Sequence, residues 1–180
     1  MIVAELPGDE ELRLADLASY DIMDSPPEED FNELIELAAQ LCKSPITYIS
    51  LVDKNRQWFK AKKGIDFSTT SKDISFCTHA ILEDEILEVP DTKKDERFFN
   101  SPFVTGDLHI RFYAGAPIVS PAGHKLGTVS IMDTEPRKLS KEEQRSLTIL
   151  SSHVTKLLEL RKNNLLIRER AEELIAIKIK

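Results

Sequence analysis

F-Y-A-G-A-P-I-V, residues 112–119, runs through S-P-A-G-H, residues 120–124, into K-L-G-T-V-S-I-M-D, residues 125–133. Two apolar, β-prone runs joined by a segment of turn residues predict an antiparallel hairpin. Gly127, inside the second run, predicts a bulge or a close approach of backbone. Upstream, I-T-Y-I-S-L-V-D, residues 46–53, turns at Lys54-Asn55 into Arg56–Lys63, a second hairpin, and Ile86–Val89 reads as a short further strand. An antiparallel-type sheet is thus expected at the centre, with the remaining segments packed on it.

Those segments are helical. Asp9–Ser19 carries Leu14, Leu17 and Ala18 at helical spacing, and Asp9, Glu10 and Glu11 suit the positive end of its dipole. Ser25-Pro26-Pro27-Glu28 has the form of a capping box. The helix it opens bears Phe31, Leu34, Ile35, Ala38, Leu41 and Cys42 on one stripe and ends at Pro45, with Cys42 a small core residue. In the strand Arg56–Lys63, plain alternation sets Gln57, Phe59, Ala61 and Lys63 on one face. Trp58, Lys60 and Lys62 fall on the other, the lysines as solvated charges and Trp58 covering a helix or a dimer partner. Ser71–Asp84 holds one of two cysteines and one of four histidines, and reads as a short helix lying over the sheet as a pocket lid. Phe98–Phe103 is an aromatic cluster that needs a surface to bury against.

From Ser140, whose side chain can form a capping box with Glu143, the chain is helical again. Leu147, Leu150, Val154 and Leu157 step like a coiled-coil seam, and Leu160, Ile167 and Leu174 repeat every seven residues; the two registers join only through a three-residue slip. Residues 140–180 are therefore expected to pair with a second copy, the alternative being a helix folded back on its own domain. The ending I-A-I-K-I-K has no helix stop signal, which leans towards a fragment of a longer chain. The division expected is a domain at 1–139 and a signalling helix at 140–180, in the α+β class.

The totals narrow the function. With 24 basic and 31 acidic residues the formal charge is −7, which argues against nucleic acid as the main partner. No apolar run is long enough to span a membrane, the amino terminus lacks a secretory pattern, and two cysteines make no disulfide framework, so a reducing cytoplasm is the expected compartment.

Several motifs, in order, resemble the GAF domain, a small-molecule sensor module of bacterial signalling proteins. They are Tyr20–Pro26, Ser50–Asp53, Trp58-Phe59-Lys60 leading to Gly64, Ser75-Phe76-Cys77 with His79-Ala80-Ile81, Val89–Thr92, Arg111–Ile118 and Leu126–Asp133. The resemblance is to the subgroup that precedes histidine kinase or diguanylate cyclase modules. It implies a sheet of five or six strands with a ligand pocket on one face. The pocket would be covered by Phe76, Cys77, His79 and Ala80 with Phe98 and Phe99, and floored by strands that carry Tyr113 and Met132. Arg111 is placed either to clamp an anionic ligand or to pair with Asp91 or Asp133.

No catalytic residue or metal ligand is expected, and the sequence leaves the cofactor unknown. Cys77 and His79, two apart, point about 200° from each other on a helix, which argues against a shared metal. A nucleophilic Cys77 would place the chain near the free methionine sulfoxide reductases, a GAF branch that uses several cysteines. Bilin-binding GAF domains join Cys directly to His, whereas Thr78 intervenes here; haem has only a lone histidine to recommend it. Asp53-Lys54-Asn55 and Asp95-Glu96 hold pieces of the cyclic-nucleotide signature out of order. The reading is a non-enzymatic sensor that binds an unidentified small molecule and signals through a dimeric helix. A ligand-free dimerisation scaffold and a cysteine-based redox enzyme are the alternatives.

Overall fold

A computed structural model, describing residues 1–178, sets six strands in one antiparallel sheet in the order β3-β2-β1-β6-β5-β4. They are β1 (Ile46–Val52), β2 (Arg56–Lys63), β3 (Thr69–Ser71), β4 (Leu87–Val89), β5 (Phe112–Val119) and β6 (Lys125–Asp133). The quoted hairpin forms with the expected bounds, Phe112 opposite Asp133 and Val119 opposite Lys125. Gly127 does both things foreseen for it. A register shift lies beside it, and a Cβ there would sit 1.9 Å from the Ser50 carbonyl of β1.

Both sheet faces are covered, so β1 is buried along its whole length. On one face lie α1 (Glu10–Ala18), α2 (Glu29–Cys42) and α5 (Lys141–Lys178); on the other, the short α3 (Phe76–Ala80) and α4 (Pro102–Thr105) with their loops. The helix-side core joins Phe31, Ile35 and Cys42 of α2 to Ile49, Phe112 and Ile131 of the sheet and Leu147, Leu150 and Val154 of α5.

Several local expectations are corrected. In α1 the buried residues are Arg13 and Leu17; Arg13 donates to the Val52 carbonyl at 2.7 Å and pairs with Glu10, while Ala18 is exposed. Ser25 and Glu28 cap nothing, because both are turned towards Lys60. α2 stops at Cys42 with Lys43 in the left-handed region (φ 46°), before Pro45, and Leu41 is exposed.

The larger correction is in β2. A bulge pairs Ser50 with Phe59 but Ile49 with Ala61, so Lys60 is an extra residue and the alternation reverses beyond it. Gln57, Phe59 and Lys62 therefore face the lid, and Trp58, Lys60 and Ala61 face the helices. Lys60 is not a solvated charge: it is 4% exposed, 5.2 Å from the Phe31 ring centre, and donates to Ser25, the Pro26 carbonyl and Glu28.

The capping box of α5 forms as expected: the Ser140 N–H donates to Glu143 at 2.7 Å and the Glu143 N–H to Ser140 at 3.1 Å. Its seam has another use. Leu147, Leu150, Val154 and Leu158 are buried in the domain's own core, with Leu157 partly so, and form the inner face of a continuous helix. Leu160, Ile167 and Leu174 lie on a different face and are exposed. Two faces, and no slip, account for the two registers. Ile179 and Lys180, the end of the expected helix, lie outside the described residues. Among the described residues no helix is long and apolar enough to cross a membrane.

Candidate functional site

The lid-side face of the central strands carries a cluster of small polar and phenolic side chains, where the helix-side face is mainly apolar apart from Thr47 and Lys60. Tyr48 and Ser50 of β1, Gln57 of β2, Tyr113 of β5, and Thr128 and Ser130 of β6 all point into it. α3 begins above them, its first turn fixed by the Cys77 N–H donating to Ser75 Oγ at 3.0 Å. The Cys77 side chain drops from that turn onto the sheet.

Six polar side chains from four strands then converge on one sulfur. Gln57 Nε2 and Thr128 Oγ1 each donate to Cys77 Sγ at 2.9 Å, and Ser50 Oγ donates at 3.2 Å. The Tyr48 and Tyr113 hydroxyls lie 3.6 Å away, and Ser130 Oγ 3.7 Å. The six also bond one another, as in Gln57 to Ser50 at 2.9 Å and Thr128 with Ser130 at 2.7 Å. Burial lifts both tyrosines well above the usual phenol range, so they stay neutral. Gly115 makes room for this: a Cβ there would lie 2.1 Å from the Tyr113 hydroxyl.

Above the polar floor sits an aromatic roof. The Phe76 ring centre is 4.5 Å from Phe98 and 4.9 Å from Tyr113, and Phe59, Phe67 and Phe103 continue the layer. The cavity enclosed among Gln57, Phe59, Phe76, Phe103 and Met132 is about 10 Å³, room for roughly one water. The lid is closed.

Of the residues singled out from the sequence, Phe76, Cys77, Ala80, Phe98, Tyr113 and Met132 meet in this one cluster. His79 leaves it on the far side of α3. Its Nε2 lies 2.9 Å from the Ile2 carbonyl, so that nitrogen carries the proton, and its ring meets the Phe98 ring at 4.9 Å. Burial depresses the His79 pKa below the usual value. Phe99 is not gathered in: it is exposed, because the turn at Asp95–Phe99 sends neighbouring rings to opposite sides. Arg111 is bound to Asp91 by two nitrogens at 3.0–3.2 Å, the pairing foreseen as its alternative. Tyr48, Ser50, Gln57, Thr128 and Ser130 were not foreseen; their signal is small polar residues at alternate positions of otherwise apolar strands.

One strand connects this site to the other face. Arg56, beside Gln57, is tied to Asp24 and Asp53, and Glu28, which receives Lys60, also receives Arg161 of α5 at 3.1 Å. Arg161 further donates to the Tyr20 and Asp21 carbonyls, and the Tyr20 hydroxyl donates to Glu159. The 20–28 loop therefore grips α5 just past Leu158, where the helix leaves the domain.

Residues 26–158 match the sequence profile of the GAF domain. The chain belongs to the GAF domain family. It is 39% identical, over 137 residues and 76% of its length, to a cyclic di-GMP phosphodiesterase of Pseudomonas aeruginosa, and spans 23% of that protein. The GAF domain of a phosphoenolpyruvate-protein phosphotransferase from Coxiella burnetii superposes with a TM-score of 0.65, at 13% identity over 87% of this chain and 96% of that one. A free methionine-R-sulfoxide reductase from Neisseria meningitidis gives 0.63, at 11% identity over 91% and 98%. At such identities these solved structures speak for the fold alone.

Proposed function

We propose that this GAF domain is the sensory part of a cyclic-dinucleotide signalling protein, without catalysis of its own. A small polar molecule enters beneath α3 and α4, and its occupancy passes through β2 to a dimeric α5 and an output module. The observation that carries the reading is the convergence of six polar side chains on Cys77. A thiol sulfur is a weak acceptor and offers one weak donor. Oxygen or nitrogen atoms of a ligand would satisfy these groups better. The 39% identical relative supports a cyclic di-GMP context, with a phosphodiesterase module as output.

A redox enzyme is less well supported. Cys42 and Cys77 lie in separate clusters on opposite faces of the sheet, and burial, then Glu143, pushes the Cys42 thiol up to about 11.

Native mass spectrometry of freshly purified protein, paired with thermal shift against cyclic mono- and dinucleotides, tests the sensor. A retained small molecule is expected, or a ligand that at a hundredfold excess over its Kd adds about 2.7 kcal/mol of stability. A clean unliganded mass with no shift across the panel would leave the dimerisation scaffold instead.

A further inference from the structure

We infer that the amino-terminal segment, residues 1–8, is a latch that keeps the lid closed through the backbone of Ile2. The inference rests on the sensor reading above in one respect, that the closed lid must open for a ligand to enter. Ile2 lies between the two halves of that lid. Its N–H donates at 3.0 Å to the carbonyl of Arg97, in the turn that leads to α4. Its own carbonyl accepts from His79 Nε2 of α3 at 2.9 Å. One residue thus ties together two separate lengths of chain.

The tie closes over the Phe98 ring. The His79 ring meets that ring edge-on at 4.9 Å, and the Arg97 guanidinium lies over it at 5.0 Å. Phe98 is fully buried and rests on Phe76, with ring centres 4.5 Å apart. Phe76 stacks on Tyr113, whose hydroxyl is 3.6 Å from Cys77 Sγ. A column of rings therefore runs from the polar floor to the latch, and the floor is not reached until Phe98 moves.

The latch is built to release. The Ile2 side chain is 53% exposed, so the residue is held by its two main-chain hydrogen bonds, with Met1 beside it partly packed on the lid-side core. Val3, Glu5 and Leu6 then arch through solvent, and a Cβ on Gly8 would meet nothing within 4 Å. The chain is caught again at α1, where Glu10 lies 3.8 Å from Lys72, just before α3. A segment anchored at both ends and slack between, with few buried apolar contacts, opens locally at far lower cost than the fold around it.

The rate at which iodoacetamide alkylates Cys77 in the full chain, read by peptide mass mapping, tests this. Both thiols are buried, on opposite faces of the sheet, so Cys42 marks opening of the whole fold. Ile2→Pro removes the N–H that the Arg97 carbonyl receives, and His79→Leu removes the donor to the Ile2 carbonyl. Each should speed Cys77 alkylation about threefold to tenfold, as for one lost hydrogen bond, and leave the Cys42 rate in place. His79→Gln, which can still donate, should fall between wild type and His79→Leu, and Leu6→Ser in the arch should change neither rate. A rise in His79→Leu without one in Ile2→Pro overturns the latch and leaves the imidazole contact with Phe98 as the cause. Rates that rise together at both cysteines also overturn it, since nothing local is then being held. A Cys77 that reacts ahead of Cys42 at one rate in every form overturns the latch alone. A Cys77 that never reacts ahead of Cys42 overturns the opening lid of the sensor reading, and the latch with it.

Discussion

The two faces of the sheet are equally buried and chemically opposite. β1 sends Ile49 and Leu51 into a helix-side core of leucine, isoleucine and phenylalanine, and Tyr48 and Ser50 into the lid-side cluster around Cys77. Dispersion and water exclusion hold the first layer, with little demand on geometry beyond volume. The second is held by hydrogen bonds that must all close at once, since a buried polar group without a partner costs about 1–3 kcal/mol. Such a layer is a poor way to gain stability and a good way to specify what may replace its contents. The difference separates the layer that holds the fold together from the layer to which the proposed function assigns the ligand.

Adjacent residues on one strand measure that difference. Ile131 and Ser130 of β6 are both fully buried and face opposite ways. Ile131→Ala should cost about 2–5 kcal/mol in urea unfolding through the cavity it leaves. Ser130→Ala should cost about 1 kcal/mol, because Thr128 and Tyr113 keep other partners. Equal losses would break the distinction between the layers. Glu28→Gln comes next, at about 1–3 kcal/mol, because it strips the carboxylate from buried Lys60 and leaves Arg161 only the Tyr20 and Asp21 carbonyls. Hydrogen exchange should then quicken in α5 past Leu158, while the Cys77 cluster keeps its protection. If exchange does not change there, the Glu28 carboxylate does not hold the helix exit.

How much of this the sequence reveals follows from the same contrast. The strands, their hairpins and the α5 capping box are legible because they depend on local pattern. The Lys60 bulge is not, because it adds one residue whose only signal is its partner strand, and it inverts the face of everything after it. The inner seam of α5 looks like a coiled coil because a core and a partner helix ask for nearly the same spacing. Ser50, Thr128 and Ser130 are unremarkable singly; only the sheet order, which sets β1 beside β6, brings them to one sulfur. Phe76 and Cys77 are legible first as part of the Ser71–Asp84 lid segment, and Tyr113 only through the family resemblance.

Gly115 sharpens the comparison within the lid-side layer. Gly115→Ala places a methyl 2.1 Å from the Tyr113 hydroxyl and 3.0 Å from Ser130 Oγ, so the ring must shift. A loss of about 1–3 kcal/mol is expected, as for overpacking elsewhere. Adding Tyr113→Phe removes the clashing oxygen and should recover part of it. If the double variant is weaker than the single by the full cost of Tyr113→Phe, the two sites are independent and the packing account fails.

The smallest effect is the dependence of the lid on pH. His79 sits between α3 and the amino-terminal segment, faced by Arg97, Asp95 and Glu83, and donates to the Ile2 carbonyl. Burial, helped by Arg97, depresses its pKa, while the Ile2 carbonyl and the two carboxylates oppose the shift without cancelling it. Below about 6.5 the unfolded chain takes up a proton that the folded one refuses. The stability tied to neutral His79 is therefore intact above that pH and lost as pH falls through the lower, folded value. The difference in melting temperature between wild type and His79→Asn should accordingly shrink from pH 7.5 to 5. Subtracting the variant removes the other titrating groups, so a constant difference would mean that the imidazole is no more reluctant to charge in the fold than outside it.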